Sequence, residues 1–250
     1  MASTLSCASC HDPLVMSVEP DSDSESGQQP GPSSSAQASS ETVPDDLHLP
    51  CGCHYHWQCL LDQSTQVTST LSCPNCSATL TPNPQSGIRA LYSSEGGQSE
   101  PVDLLPILQE EAHLAAHPEE RPARALHTMV AEGDVEGIVE LLRDAESEVE
   151  RAVLVSYRDP LAGGRNALHV AVEHGKADAF WLLLWVGSGL PTDNFSAEMR
   201  QTMGSIRLER GSGEDLRFMK DVEGRTPGDY AAASGEWDEW INGGVFMLRS

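Results

Sequence analysis

The first fifty residues contain no lysine and no arginine, and no cysteine follows Cys76. Cations and aromatics are scarce throughout: 15 Lys and Arg stand against 38 Asp and Glu, for a formal charge of −23, and only 5% of the 250 residues are aromatic. Each scarcity excludes something. Gripping nucleic acid requires clustered Lys and Arg to neutralise phosphates, so no nucleic-acid partner is expected. A start without basic residues is neither a basic targeting segment nor a polybasic membrane anchor. No charged-then-apolar leader is visible from Met1 to Cys10, and the longest apolar run, Phe180 to Val186, is too short to cross a bilayer. No membrane partner is expected, and the expected location is intracellular, cytoplasmic or nuclear. Nor does the chain hold a phosphate loop, a GxSxG elbow or an HExxH helix, the usual marks of several enzyme classes.

What is present is concentrated at the N-terminus. All seven cysteines lie in the first 76 residues, as Cys7-x-x-Cys10, then Cys51-x-Cys53-x-x-His56-x-x-Cys59, then Cys73-Pro74-Asn75-Cys76. An odd count and an intracellular setting argue against a disulfide framework. A redox C-x-x-C pair would sit in a strand–turn–helix context, which neither pair has. Two thiolates one tight turn apart can reach the same ion. Seven Cys plus His56 supply enough ligands for two closed tetrahedral sites. His54 is a rival ligand, but choosing it strands Cys53, so His54 is assigned to solvent or to a supporting position.

The order and spacing of these residues resemble a RING finger. Leu49-Pro50-Cys51-Gly52-Cys53-His54-Tyr55-His56-Trp57-Gln58-Cys59-Leu60 looks like the middle of one, with Tyr55 in the place of the family's aromatic residue and Cys53 in place of a histidine ligand. The last knuckle has the family's C-P-x-C form. The resemblance covers about residues 7–77. PHD fingers and RING-CH domains share the ligand order but place a longer segment before the His, where here only His54 and Tyr55 intervene. PHD fingers also carry a Trp where this chain has Leu71. In RING fingers the ligand pairs interleave. The resemblance therefore implies that Cys7, Cys10, His56 and Cys59 hold one Zn2+ and that Cys51, Cys53, Cys73 and Cys76 hold a second. The four-thiolate site is expected to need backbone N–H donors to its sulfurs.

Most RING fingers are ubiquitin ligases that do no covalent chemistry. They hold a charged ubiquitin-conjugating enzyme so that its thioester reacts, which is catalysis by positioning. With every Cys assigned to metal, none is left as a ligase nucleophile. Pro74 and Leu60 match the family's docking pattern. Ser9, Gln63 and Ser77 depart from it, standing where an aliphatic residue, a Trp and a basic residue are frequent. A zinc-stabilised adaptor without ligase activity is the alternative.

Residues 11–50 separate the first two pairs and contain an acidic serine run, Asp21 to Ser26, followed by Gln, Pro, Ser and Gly. So little of this can bury a core that disorder is expected, and loop closure tolerates the length because its cost grows slowly. Ser22 with Glu25 matches an acid-directed phosphorylation pattern, although a solvated spacer explains the segment equally well. Thr81 to Pro101 also reads as polar and loop-like, whereas Leu104, Leu105, Leu108, Ala112 and Leu114 have the spacing of a short amphipathic helix leading into the next domain.

Three later segments resemble ankyrin repeats. In the middle one, Gly164-Arg165-Asn166-Ala167-Leu168-His169-Val170-Ala171 is followed by Gly175 and an apolar second segment from Ala177 to Leu184. Asn166 suits a helix cap and Gly175 a left-handed turn. Leu126, His127 and Gly133 lie 42 residues earlier, with Arg124 in the capping position, so a less sharp start is expected there. Gly224-Arg225-Thr226-Pro227 and Gly235 lie 60 residues later than the middle segment, with Thr226 as cap and Pro227 at the first helical position. The usual period is about 33 residues, so the spacings imply insertions of roughly 9 and 27, the larger one around Pro191 to Val222 with room for an extra helix. A short second helix near Trp237 to Ile241 would close the array. The resemblance implies that His127 and His169 bridge turns by hydrogen bonds. It also implies a stacked, protein-binding surface for a protein substrate.

The expected fold class is a small zinc-binding cross-brace domain plus an all-α ankyrin-like helical repeat array, with a disordered loop and a linker. The boundaries are 1–80 for the zinc domain with a disordered insertion at 11–48, 81–117 for a linker with a short helix, and 118–250 for the array, with repeats at about 122–154, 164–190 and 223–247.

Overall fold

Two short antiparallel strands, β1 (Val15–Val18) and β2 (Glu41–Pro44), pair in register from Val15–Pro44 to Val18–Glu41. They begin the first of two units into which this computed structural model divides, Met1–Ala116 and His117–Ser250. The structure describes residues 5–18, 41–209 and 214–247.

In the first unit, β3 (Asp46–His48) and β4 (His54–Tyr55) flank a turn and lead into α1 (Trp57–Leu61) and α2 (Ser64–Thr70). Then come β5 (Arg89–Ser94), β6 (Gly97–Gln98), β7 (Val102–Asp103) and α3 (Leu105–Ala116). The sheet runs β4-β3-β5-β6 with β7 also on β5, all antiparallel. Leu47 lies opposite both Tyr55 and Tyr92, and together with Leu49, Leu60, Val67, Ile88, Ala90, Leu104 and Leu108 it forms one buried core. Asp45 is buried and joins three segments: its Oδ1 accepts from the Trp57 N–H and the Tyr92 hydroxyl, each at 3.1 Å.

Three expectations are corrected in this unit. The segment from Thr81 to Pro101 is not a loop, because Ile88 and Ala90 bury themselves and the backbone of residues 91–93 completes the edge of β3. The short apolar run Ala90-Leu91-Tyr92, set among Ser, Gly and Gln, is polar by its surroundings, whereas the pairing of β5 with β3 makes it a strand. Likewise, the proposed disordered insertion at 11–48 is ordered at both ends, where β1, β2 and β3 form. Residues 19–40, including the acidic serine run, lie outside the described residues. Helix α3 buries Leu105, Leu108 and Leu114 and packs against α2, so it belongs to the first unit and not to a linker.

The second unit is helical: α4 (Arg121–Glu132), α5 (Val135–Asp144), α6 (Glu148–Ser156), α7 (Ala167–Glu173), α8 (Ala177–Gly187), α9 (Ala197–Thr202), α10 (Pro227–Ser234) and α11 (Asp238–Asn242). Three helix pairs recur, α4 with α5, α7 with α8 and α10 with α11, and α7 packs against both α4 and α10. Gly175 follows α7 at φ 65°, a conformation that a side chain disfavours, and Gly133 and Gly235 occupy the matching turns. The caps follow the sequence. Asn166 and Thr226 each form a capping box with the third residue of their helix, whereas α4 starts at Arg121 with no side-chain cap. Helix α8 is apolar on all sides because it is covered all round: Phe180, Leu182, Leu183, Leu184, Trp185 and Val186 are buried. The segment after it contains α9 and folds back onto it, with the Trp185 Nε1–H donating to the Met203 carbonyl at 2.7 Å and the Arg207 guanidinium 4.4 Å above the Trp185 ring. None of the helices among the described residues is long and apolar enough to cross a membrane.

The two repeated histidines differ. His169 closes its own cap, with Nδ1 accepting the Asn166 N–H at 3.2 Å, and its Nε2–H donates to the Arg225 carbonyl at 3.1 Å, so it ties one helix pair to the next. His127 is equally buried but neither ring nitrogen has a hydrogen-bond partner, so the bridging role expected of it is absent. The reason is local. Its helix starts at Arg121 without the capping box whose backbone N–H would donate to Nδ1, and the ring packs against Tyr157 in a T-shaped pair at 5.4 Å instead.

Candidate metal centres

The first and last cysteine pairs sit on two copies of one backbone turn. In the first, the Cys7 N–H donates to the Asp12 carbonyl at 2.9 Å and the His11 N–H to the Cys7 carbonyl at 3.0 Å. In the second, the Cys73 N–H donates to the Ala78 carbonyl and the Ser77 N–H to the Cys73 carbonyl, each at 2.9 Å. Both turns are closed by an antiparallel bridge, Ser6 with Pro13 and Ser72 with Thr79. Both also put the residue after the second cysteine at positive φ, 67° for His11 and 59° for Ser77. That is uncommon for residues with side chains, and it directs two thiols to the same side of the turn. The second pair lies in the turn between β3 and β4, where Gly52 adopts φ 87° and its N–H reaches the Leu49 carbonyl at 2.9 Å. His56 and Cys59 stand three residues apart at the start of α1, hence on one helical face.

These segments converge into two groups. Cys7, Cys10, His56 and Cys59 bring their ligand atoms within 4.8 Å of one another, and so do Cys51, Cys53, Cys73 and Cys76. Each group draws on two of the four pairs in alternation, first with third and second with fourth. All eight residues singled out in the sequence are thus gathered, four and four, at distances that can hold a metal ion in each group. His54 is in neither. Its Nδ1 lies 2.7 Å from the Asp46 Oδ1 and its ring stacks on His48 at 4.4 Å, while its carbonyl accepts from the Ala8 N–H at 2.8 Å and anchors the first turn.

The first group is oriented from outside. The His56 Nε2–H donates to the Pro13 carbonyl at 2.9 Å, which leaves Nδ1 facing the thiols, 3.3 Å from the Cys10 Sγ and 3.7 Å from the Cys59 Sγ. Such a bond on the far nitrogen is how ligating imidazoles are commonly held. Burial alone would lower the His56 pKa, but the Pro13 carbonyl and the nearby Cys7 sulfur turn the net effect upward.

The sulfurs are not equivalent. Burial pushes the Cys7 thiol up, but the N–H groups of Cys10, His56 and Ser9 outweigh it and hold it at about 7. Burial pushes the Cys59 thiol to about 12, helped by the Cys7 and Cys10 sulfurs. The second group repeats the division. Cys73 is held at about 7, the rise from burial being overcome by the Cys76 N–H and the Tyr55 hydroxyl, whereas burial pushes Cys51 to about 12. Packed this closely, the thiols cannot all ionise unless a cation sits among them. A metal entering either group displaces the protons that remain.

Two donors were missed in the sequence. The Tyr55 hydroxyl lies 3.4 Å from the Cys73 Sγ and accepts the Asn75 N–H at 3.1 Å, and the Asn75 side-chain amide donates to the Cys53 Sγ at 3.6 Å. Donors to the four-cysteine group were expected from the backbone alone. Asn75, as the polar residue inside the last knuckle, was the available signal. On the surface between the first turn and α1, the Gln63 Nε2 donates to the Ser9 Oγ and to the Cys59 carbonyl, both at 3.0 Å. No family model, curated protein or solved structure matches this chain.

Proposed function

We propose that the first unit is a RING-like cross-brace stabilised by two Zn2+ ions and that the chain is a ubiquitin ligase of the non-covalent kind, with the helical unit acting as an ankyrin-like array that recruits a protein substrate. The observation that carries this reading is the alternation of ligand pairs between two groups. Each ion would tie together segments far apart in sequence, a way for a small domain to be stable with a modest core. The donor set suits zinc. Thiolates at about 2.3 Å and an imidazole nitrogen at about 2.05 Å in a tetrahedron lie about 3.6 Å apart, and the two sulfur–Nδ1 distances, 3.3 and 3.7 Å, bracket that value. Cys7, Cys10, His56 and Cys59 would hold one ion; Cys51, Cys53, Cys73 and Cys76 would hold the other. The four-thiolate site carries excess negative charge, which the Tyr55 hydroxyl and the Asn75 amide offset. Both ions are structural.

In this scheme every cysteine is a ligand and none attacks the thioester. The substrate lysine amine attacks the thioester carbonyl on the bound conjugating enzyme, an isopeptide bond forms, and that enzyme's thiol leaves. The zinc unit contributes position only. The matched glycine turns, the capping boxes at Asn166 and Thr226 and the His169 link to Arg225 support the array reading. The test is a ubiquitination reaction with a broad panel of conjugating enzymes, wild type against Cys73→Ser, alongside metal analysis. The reading expects two zinc ions per chain and ubiquitin chains that the variant fails to make. Absence of chains with every conjugating enzyme overturns the ligase.

A second reading, a zinc-stabilised adaptor without ligase activity, is favoured by one observation. Ser9 and Gln63, at positions where an apolar contact to a conjugating enzyme is frequent, bond to each other instead. Two zinc ions and client binding without ubiquitin transfer would select it.

A further inference from the structure

Helix α5 carries two parallel stripes. Val135 and Val139 are one turn apart, and beside them Glu136, Glu140 and Asp144 recur at the same spacing. Facing them is Met203, from the segment between α8 and α10 that has no counterpart in the other helix pairs. Together with Arg143 these residues line a groove of ≈ 620 Å3, within the range of clefts that seat a ligand of several side chains' bulk. The groove is preformed. Met203 is fixed by its carbonyl bond to Trp185, and the Arg143 Nη2 donates to the neighbouring Thr202 carbonyl at 3.4 Å, fastening α5 to the inserted segment. Arg143 is thereby engaged at the edge. Among the described residues, Glu136, Glu140 and Asp144 form no ion pair, and all three are exposed. Like charges one turn apart repel, and a partner bringing cations relieves that repulsion.

We propose that this groove binds a short basic segment of a partner protein. An aliphatic anchor would sit on Val135, Val139 and Met203, and flanking Lys or Arg side chains would meet Glu136, Glu140 and Asp144. The complementarity is in charge as well as shape. Three carboxylates border an apolar floor, and the chain as a whole carries −23 and so repels acidic segments. The inference stands apart from the zinc reading, since no metal ligand touches the groove. It narrows the protein substrate of the proposed ligase, or the client of an adaptor, to one with a basic, aliphatic-anchored segment.

The test uses the full zinc-containing chain and a fluorescein-labelled peptide of two leucines flanked on each side by two arginines, with anisotropy as readout. Expected is binding at least about tenfold tighter than for the same peptide with serines in place of the leucines, weakening as salt rises. The double variant Glu136→Lys/Glu140→Lys, both positions exposed, should weaken binding by about tenfold or more, and the same charge change at Glu95→Lys/Glu100→Lys in the first unit should leave it within about twofold. Equal weakening by both double variants, equal binding of the serine peptide, or no binding to wild type overturns the proposal. Zinc content measured on the same samples keeps that failure distinct from a failure of the metal reading.

Discussion

Tyr55 uses one oxygen twice, towards the Cys73 sulfur and from the Asn75 N–H, while its ring fills the core beneath the second cysteine group. Burial and the adjacent Cys73 raise its pKa, so the hydroxyl keeps its proton and stays a donor. Tyr55→Phe should therefore leave the fold intact and weaken metal retention in that group by about tenfold, measured by transfer to a chromogenic chelator; an unchanged rate would mean that the hydroxyl gives the sulfur no support. His127 makes the opposite case. Burial, with Arg124 and Arg165 nearby, pushes its pKa from 6.5 down to about 3. The unfolded chain takes up a proton as pH drops below 6.5 and the folded chain does not. Stability of the second unit should then be indifferent to this residue above neutral pH and fall towards acid by up to about 1.4 kcal/mol per pH unit. His127→Leu should remove that slope and stabilise at neutral pH by about 1 kcal/mol, because two buried nitrogens without partners are replaced by an apolar group. Urea midpoints between neutral and mildly acid pH, followed by tryptophan fluorescence, decide it.

At the scale of elements, the caps form a graded series. Asn166 is fully buried, caps α7 and also donates to the Leu216 carbonyl at 3.1 Å. Thr226 caps α10 at a half-buried position. Asn166→Ala should cost about 2–3 kcal/mol in urea unfolding, since it loses the cap and leaves a buried carbonyl unpaired, whereas Thr226→Ala should cost about 1 kcal/mol. Equal costs would mean that the Leu216 contact contributes nothing. These caps were legible because a helix start depends on one side chain and its neighbours three residues on. Strand β5 was not legible. Its residues take their conformation from β3, more than forty positions earlier, and no local pattern of a few residues encodes a partner so distant. Helix α6 went unforeseen for a related reason: Val149 and Val153 face outward at 73% and 61% exposure, so its apolar pattern does not mark a single buried side.

At the scale of the molecule, the two units have separate cores, one around the cysteine groups and one among the helices. On the proposed metal reading, removing the ions should therefore unfold the first unit and spare the second. After a strong chelator, the helical far-UV signal should largely persist and melt at its former midpoint, while the environment of Trp57 changes; loss of the helical signal in step would show that the units fold as one. The eight candidate ligands could be read from sequence because two thiols one tight turn apart can reach the same ion in any fold, whereas their division into two groups followed only from the resemblance to an interleaved finger. The orientation of His56 could not, since it rests on the carbonyl of Pro13, a backbone atom that carries no residue signature.

The β1–β2 ladder has a practical consequence. By pairing Val18 with Glu41 it sets a fixed neck across the long interval between the first two ligand pairs. Whatever is threaded between those two positions enters and leaves at neighbouring points, so its size is decoupled from the cysteine groups below. A fluorescent protein or an affinity tag grafted there should leave the capacity of the two cysteine groups to bind metal unchanged, making the neck a natural place to attach a reporter.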